Sequence, residues 1–342
     1  MNAFQALKRQ GRAMLLCIFA LGILLPACGN TTPTPLSSSC ASFPKIAKKI
    51  TYKVGFSQSG AEDNNPWRAA ETASMLDEAT KRGYNYLATD AKSSEAKQIA
   101  DVNWLIAQKV DVLFIAPRSE KPLAQAVLAA HHACIPVFLL DRDVDHSIAS
   151  PGQDYVTFLG SDFLNQGKRA ADWLIAATHG KAKILELEGT VGASPAILRK
   201  QGFDTTIKSQ PGVQLLDSIS GNFTRTAGAK AFQMLLAAYP NVTAVYAHND
   251  EMALGAIDVL KKAGKVPGKD VIIVSIDGER AGLEAIVTGE LGATVETNPR
   301  FGPLAFHAFD QYVNGAHLPI WIKVQDRLFT NQNAAQAISA SY

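Results

Sequence analysis

The chain has 342 residues, of which 47% are hydrophobic, so it is long enough to fill one large or two ordinary globular cores. Its 33 basic residues are nearly balanced by 31 acidic ones, and this balance gives no indication of nucleic-acid binding.

The first 27 residues have the pattern of a secretory signal. A basic start is followed by an apolar run over 13–25, which is too short for an ordinary membrane span. The sequence LPAC at 25–28 resembles the bacterial lipoprotein processing site, and this resemblance implies cleavage after Ala27 and lipid on Cys28. The alternative is a plain secretory signal with an incidental cysteine.

Residues 28–48 are rich in Ser, Thr and Pro and carry few large apolar side chains, so we expect a flexible tether. Cys40 lies in this segment, and Cys134 is the cysteine of the globular part. A disulfide between them is permitted outside the cytoplasm. Two lone cysteines make neither a disulfide framework nor a metal-ligand pattern, however, so we expect a buried free thiol at Cys134.

From residue 49 onwards, short apolar runs alternate with amphipathic stretches. The apolar runs predict strands at 52–57, 84–90, 110–117, 135–141, 182–188, 242–249 and 270–277. Helical spacing of apolar residues predicts helices at 69–82, 94–108, 123–131, 166–177, 193–207, 226–238 and 251–263. Such alternation is typical of an α/β fold, in which a parallel sheet is covered by helices on both faces and is doubly wound.

This alternation occurs twice, over 50–142 and over 183–297, and a polar, turn-rich segment at 145–162 separates the two repeats. The sequence therefore predicts two similar α/β lobes and not one long sheet.

Each predicted strand ends in polar or small residues, and this is the edge of an open parallel sheet at which ligands bind. These residues are Ser57, Gln58, Asp90, Asp141, Arg142, Glu188, Gly189, His248, Asn249, Asp250, Asp277 and Gly278. The alternative for any one of them is a helix N-cap, which we expect of Asp250 and consider for Asp90. Arginine has no capping role, so Arg142 favours a polar ligand held between the lobes.

Signatures of catalysis and metal binding are absent from the sequence. We find no phosphate loop and no nucleophile elbow. His131 and His132 are adjacent on a predicted helix, so we expect surface residues and not metal ligands. The turn at 188–194 either cradles an anion at a helix start or only connects a strand to a helix. The sequence predicts no enzyme activity, no cofactor and no metal.

A series of ordered motifs carries a family resemblance. The motifs are VGFSQSG, PWRAAET, FIAP, PVFLLDRDVD, LEGTVGAS, LRKQGF, GNFTRTAG, VYAHNDEMALGAI, SIDG and VETNPRFGP. Together they resemble the ribose/galactose class of type I periplasmic sugar-binding proteins over residues 50 to about 330. Within that class, the chain is most similar to the galactofuranose-binding members that serve ABC importers.

The resemblance implies a set of ligand-binding residues, four in each lobe: Trp67, Arg68, Asp141, Arg142, Arg199, Phe223, Asn249 and Asp277. The charged and amide groups would bond to sugar hydroxyls, and the aromatic rings would cover the apolar C–H face of the sugar. Gln58 and Glu296 are weaker predictions, because they rest on the alignment of loops alone.

Ordinary structural roles stay open for three of these residues. Trp67 and Phe223 could pack against the core, and Arg68 could pair with Glu71 as an exposed i, i+3 contact.

The family topology implies three crossings between the lobes, near Phe158–Gly160, Thr297–Asn298 and Lys323–Gln325. The first lobe would then comprise residues 49–158 plus 298–323. The second lobe would comprise residues 159–297 plus 324–342.

The resemblance implies a monomer that captures a monosaccharide by hinge closure and delivers it to an ABC transporter permease. Lipid on Cys28 would hold it at the extracytoplasmic side of a membrane. Two alternatives stay open, a sugar-sensing partner of a chemoreceptor and a binder of another polar ligand such as an autoinducer. A transcription regulator would need a helix-turn-helix where the signal lies. A glycosidase would need free carboxylates, whereas Asp141 and Asp277 are each expected beside an arginine.

Overall fold

The computed structural model describes residue 40, residues 43–60 and residues 65–342, and these belong to one compact unit. The predicted signal, the lipidation site Cys28 and most of the predicted tether lie outside the described residues. None of the helices in the described part of the chain combines the length and the apolar character needed to cross a bilayer.

The strands and helices alternate along most of the chain. The strands are β1 (Lys53–Gln58), β2 (Asn85–Asp90), β3 (Val112–Ala116), β4 (Val137–Leu140), β5 (Thr157–Gly160), β6 (Ala182–Glu188), β7 (Val213–Ser220), β8 (Ala244–Ala247), β9 (Ile272–Asp277), β10 (Ala293–Glu296), β11 (Trp321–Lys323) and β12 (Leu328–Thr330). The helices are α1 (Pro66–Lys81), α2 (Glu95–Ala107), α3 (Glu120–His132), α4 (Phe163–Ala177), α5 (Ser194–Ile207), α6 (Arg225–Ala238), α7 (Asp250–Lys262), α8 (Arg280–Val287), α9 (Gly302–Val313) and α10 (Ala334–Ala337).

The strands form two six-stranded sheets. The order is β11-β5-β4-β3-β1-β2 in the first sheet and β12-β10-β9-β8-β6-β7 in the second. All neighbours are parallel except β12, which pairs antiparallel with β10. This confirms the predicted fold class of two parallel α/β lobes.

Each sheet is buried on both faces, which explains why its central strands are continuously apolar. In β3, Phe114 packs with Phe306 and Phe309 of α9 on one face. The preceding residue, Leu113, points to the other face and packs in the core that contains Leu105 of α2. The alternation of side chains along a strand therefore serves two apolar layers at once.

Three helices, α1, α3 and α4, begin one turn earlier than the sequence predicts. The apolar spacing starts only after the first turn, whereas the helical hydrogen bonds start at the cap. In α1 the Asn65 side chain accepts from the Arg68 N–H at 3.2 Å, and Pro66 follows at the first helical position. In α4 the Asp162 side chain accepts from the Asn165 N–H at 3.0 Å.

The chain passes from one sheet to the other three times, over 161–162, 297–301 and 324–327. Hydrogen bonds connect these three crossings. The Ser161 hydroxyl donates to Asp326 at 2.9 Å. The Gln166 amide donates to Asp326 and to the Thr297 hydroxyl, both at 2.9 Å. The crossings therefore form one connected hinge.

The expectation of a buried free thiol at Cys134 is wrong. Cys134 is exposed and forms a disulfide with Cys40, with the two Cα atoms 5.6 Å apart. Sequence spacing cannot show this proximity, which in the fold is accompanied by an edge-on contact of Phe43 with the His131 ring at 6.2 Å. His131, which was expected at the surface, is buried.

Candidate functional site

A small cavity lies at the carboxyl ends of the strands of both sheets. It is lined by Asn65, Trp67, Arg68, Asp141, Arg142, Pro195, Arg199, Phe223, Asn249, Asp277 and Thr297. The structure thus brings the eight main predicted residues together in one place. Residues from both lobes are needed to enclose it.

Buried ion pairs join the first turn of α1 to the end of β4. The Arg68 guanidinium donates to Glu71 and to Asp141, both at 2.7 Å, and all three side chains are buried. Burial alone would lower the pKa of Arg68, but the two carboxylates raise it, so the guanidinium stays charged. Arg68 does pair with Glu71, although inside the protein and not on its surface.

Arg142 is the least satisfied charged group in this wall. Its NH1 donates to the Arg118 carbonyl at 3.1 Å, and its Nε lies 3.5 Å from Asp141 Oδ2. The buried Nε has no hydrogen-bond partner among the described residues. Burial, and then the neighbouring Arg68, hold the pKa of Arg142 well below its usual value. The guanidinium is therefore ready to donate to a ligand that offers oxygen atoms.

In the second lobe, each guanidinium nitrogen of Arg199, on α5, already donates a hydrogen bond to a protein oxygen. Its Nε donates to Gln166 at 2.9 Å, its NH1 to the His248 carbonyl at 2.6 Å, and its NH2 to the Thr297 hydroxyl at 2.8 Å. The nearest carboxylate oxygen, of Asp277, is 3.6 Å away. These bonds fix the arginine before any ligand arrives.

The backbone of Asp277, at the end of β9, is also held in place by hydrogen bonds before any ligand arrives. Its φ of 136° is unusual for a residue with a side chain. Its carbonyl accepts from the Thr297 N–H at 2.9 Å and from the Tyr342 hydroxyl at 3.1 Å, which holds this conformation. Burial raises the pKa of Asp277, whereas the positive charge of Arg199 opposes that shift.

Asn249 combines the capping role and the site position that the sequence left as alternatives. Its Oδ1 accepts from the Met252 N–H at 3.0 Å and caps α7, while its Nδ2 donates to the Phe223 carbonyl at 3.1 Å. The prediction that Asp250 caps α7 is therefore wrong. Asp250 is the first helical residue, and it accepts instead from the Thr294 hydroxyl at 2.7 Å.

Two aromatic residues line the cavity from opposite lobes. The Trp67 indole N–H donates to the Thr297 carbonyl at 2.7 Å, and its ring also packs in the core of the first lobe. Phe223 lies between two guanidinium groups, with its ring centroid 5.4 Å from Arg142 and 5.8 Å from Arg199. Core packing and a position at the site are therefore compatible for Trp67.

Asn65 and Thr297 line the cavity but were not among the predicted site residues. Thr297 connects both lobes, because its carbonyl accepts from Trp67 and its hydroxyl accepts from Arg199. The available sequence signal was the position of Thr297 beside a predicted crossing. For Asn65 it was an asparagine directly before the proline that starts α1.

The two weaker predictions do not line this cavity. Gln58 lies behind it and donates to Glu71 at 2.8 Å. Glu296 turns away towards Arg327, with an ion pair at 2.6 Å. A shift of one residue along a strand reverses the direction of a side chain, so loop alignment alone could not place either residue.

Direct hydrogen bonds join the two lobes around the cavity. The Asn65 amide donates to the Phe223 carbonyl at 3.1 Å, and the Glu120 N–H donates to the Gly192 carbonyl at 2.9 Å. The described geometry is therefore the closed form.

The charges around the cavity are balanced among the described residues. Three arginines face three acids in or directly behind the wall: Arg68, Arg142, Arg199, Glu71, Asp141 and Asp277. A wall of this kind offers many hydrogen-bond donors and acceptors without net charge, which suits an uncharged polar ligand. No group of side chains in the described ranges could hold a metal ion.

Comparison with known proteins agrees with this geometry. A family model for the periplasmic binding protein domain matches residues 56–317. The galactofuranose-binding protein YtfQ of Escherichia coli K12 is 40% identical over 83% of this chain and 89% of its own length.

Two solved structures have similar folds. One is the binding component of an arabinose ABC transporter from Shewanella sp. ANA-3, bound to α- and β-L-arabinofuranose (TM-score 0.78, 38% identity, 85% of this chain and 95% of that chain). The other is a galactofuranose-binding protein (TM-score 0.80, 38% identity, 86% and 98%). All three relatives are named as binding proteins.

Proposed function

Because the chain belongs to the periplasmic binding protein family, we propose that it captures a monosaccharide between its lobes and delivers it to the permease of an ABC importer. The observation that carries this proposal is the closed cavity lined by paired charges and by one aromatic ring from each lobe. Like its relatives, the chain is a binding protein and not an enzyme.

The ligand class follows from the wall. The cavity is small and residues of both lobes enclose it, so one sugar ring fits better than an oligosaccharide. Asp141, Arg142, Asn249 and Asp277 supply acceptors and donors for hydroxyl groups. The relatives bind galactofuranose and arabinofuranose, which favours a sugar in its furanose form.

Capture proceeds by closure of the two lobes about the hinge, a motion for which periplasmic binding proteins are a standard example. The eight site residues are divided between the lobes, so a bound sugar bonds to all of them only in the closed form. The sugar therefore shifts the population towards that form. We place the lobes at 49–160 plus 298–323 and at 161–297 plus 324–342, which moves the first predicted boundary by two residues because β5 extends to Gly160 in the first sheet.

For localisation, we propose export by the signal at residues 1–27 and lipid attachment at Cys28. A monomer would then remain on the extracytoplasmic side of the membrane, close to its permease. The tether would raise the effective concentration of the protein at the permease. More than one acyl chain is needed for a stable hold.

A panel of sugars tests the proposal. Galactofuranose, arabinose, galactose, ribose, glucose and fructose are added one at a time, and the melting temperature is measured. We expect one or two of them to raise it, because a ligand that binds only the folded state stabilises that state. A shift with amino acids or autoinducers but with no sugar would contradict the proposed ligand class.

A further inference from the structure

A second cavity, of about 400 Å³, lies against the hinge. One side consists of the β4–β5 loop, β5 and β11, and the other side consists of the first residues of α4 and α5. It shares no lining residue with the first cavity. We refer to it as the hinge cavity.

The walls of the hinge cavity are mainly apolar. The Phe158 and Trp321 rings are stacked at 6.1 Å, and the Phe163 ring lies 6.5 Å from Phe158. Leu164 and Ile320 also line the cavity, although they are 43% and 58% exposed. Apolar surface of this kind gains free energy when a ligand removes it from water.

The charged side chains that line the hinge cavity already have partners. Asp143 accepts from the Tyr155 hydroxyl at 2.8 Å and lies 2.9 Å from the His146 ring nitrogen. Asp162 is paired with Lys323 at 2.7 Å. Because these carboxylates have partners, the cavity does not select a charged ligand. A volume within the usual range for ligand pockets and stacked aromatic walls suit a small aromatic molecule.

We propose that the hinge cavity is a second binding site, for a small uncharged molecule with an aromatic ring, and that its occupation favours the closed form. Both lobes supply its walls, and the Asp143 N–H donates across them to the Ser194 hydroxyl at 2.9 Å. A ligand that contacts both lobes binds the closed form better than an open one, and it therefore raises the affinity for the sugar. The effect on sugar affinity rests on the proposed function, whereas the existence of the second site does not.

The test uses the full chain and indole as the probe. We expect indole to raise the melting temperature in a saturable way. Leu164→Asp and Ile320→Asp change exposed side chains, so both variants should fold, and each should weaken indole binding about tenfold or more, since an isolated charge is costly in an apolar site. Met234→Asp is the matched control, because Met234 is 59% exposed on α6, outside the cavity, and should leave indole binding unchanged.

The coupling is measured by titrating the stabilising sugar with and without saturating indole. We expect affinity to rise by about fivefold or more, within the usual range for coupled sites. Equal indole binding by Leu164→Asp and wild type, or no indole binding up to its solubility, would overturn the site. Tighter binding of cyclohexanol than of indole would overturn the aromatic class. If indole binds but no sugar does, the proposed function fails and the second site stands.

Discussion

The two walls of the first cavity differ in how completely their arginines are bonded. In the second lobe, each of the three nitrogens of Arg199 already donates to a protein oxygen. In the first lobe, Arg142 makes one described hydrogen bond, and its Nε is buried without a partner among the described residues. Arg199 is therefore fixed before a ligand arrives, whereas Arg142 keeps bonding capacity for the ligand.

This difference predicts that Arg199 contributes mainly to the stability of the fold, whereas Arg142 contributes mainly to the affinity for the ligand. A buried donor without a partner costs about 1–3 kcal/mol, and a ligand that satisfies it recovers that free energy on binding. Removal of a fully bonded arginine instead leaves several of its partners unpaired, and this destabilises the fold. The contrast between Arg199 and Arg142 can be tested by substituting each in turn.

The largest effect is expected for Arg199→Met. The substitution leaves the buried Asp277 carboxylate without its nearest cation, and it leaves the Gln166 side-chain oxygen and the His248 carbonyl without their donor. We expect the free energy of unfolding to fall by about 3–5 kcal/mol in urea denaturation. Arg225→Met, at a half-exposed pair with Glu251, is the control and should cost less than about 1 kcal/mol. An equal loss in the free energy of unfolding for the two variants would contradict the proposed role of Arg199 in stability.

Arg142→Met should act on affinity instead. Loss of two charge-assisted hydrogen bonds, at about 1.5–3 kcal/mol each, predicts sugar binding weaker by about a hundredfold or more in calorimetric titration. Stability without sugar should change little, because Arg142 is poorly bonded and lies near Arg68. A large loss of stability with intact affinity would show that Arg142 is a structural ion-pair residue.

Asp326, in the hinge, is expected to make the stability of the protein depend on pH. Burial raises the pKa of Asp326 to about 6, from 3.8, although Gln166 and Ser161 donate to it. The folded protein therefore takes up a proton between pH 6 and 4 that the unfolded chain does not, and this stabilises the fold as the pH falls. We expect the stability of wild type relative to Asp326→Asn to rise by about 2 kcal/mol from pH 7 to pH 4. Asp172→Asn, at an exposed ion pair, is the control, and an equal slope there would contradict the assignment.

The smallest effect is expected for Tyr342→Phe. The hydroxyl donates to the Asp277 carbonyl at 3.1 Å, so its removal loosens the conformation that holds this carboxylate at the cavity. We expect sugar affinity to fall by less than about tenfold, since one neutral hydrogen bond is worth about 1 kcal/mol. Tyr312→Phe removes a hydroxyl that bonds to Pro44 away from the cavity and should leave affinity unchanged. A larger effect of the control would show that the tyrosine does not act through Asp277.

Most central strands could be predicted from sequence because burial on both faces makes them continuously apolar, as in β3 and β9. The interior strands β5 and β10 have only four residues each and were not predicted. The edge strand β7 was not predicted, since none of its residues is fully buried and its half-buried and exposed residues do not alternate regularly. Strands β11 and β12 have three residues each, which is too short for a pattern, and only their neighbours show them to be strands. The sheet order depends on these long-range contacts.

At the site, the residue types at the strand ends indicated a polar ligand, and the family resemblance indicated which residues would meet. The role of Thr297 could not be predicted, because it depends on backbone and side-chain bonds to Trp67 and Arg199, which are distant in sequence. The Cys40–Cys134 disulfide was considered but not favoured, for the same reason. Spacing along the chain does not report the approach of segments 94 residues apart.

The most direct test of the central claim is a crystal structure of the protein with the sugar that raises its melting temperature most. We predict one sugar ring between Trp67 and Phe223, with hydrogen bonds to Asp141 and Arg142 from one lobe and to Asn249 and Asp277 from the other. A sugar bound to one lobe alone, or bound outside this cavity, would contradict the account.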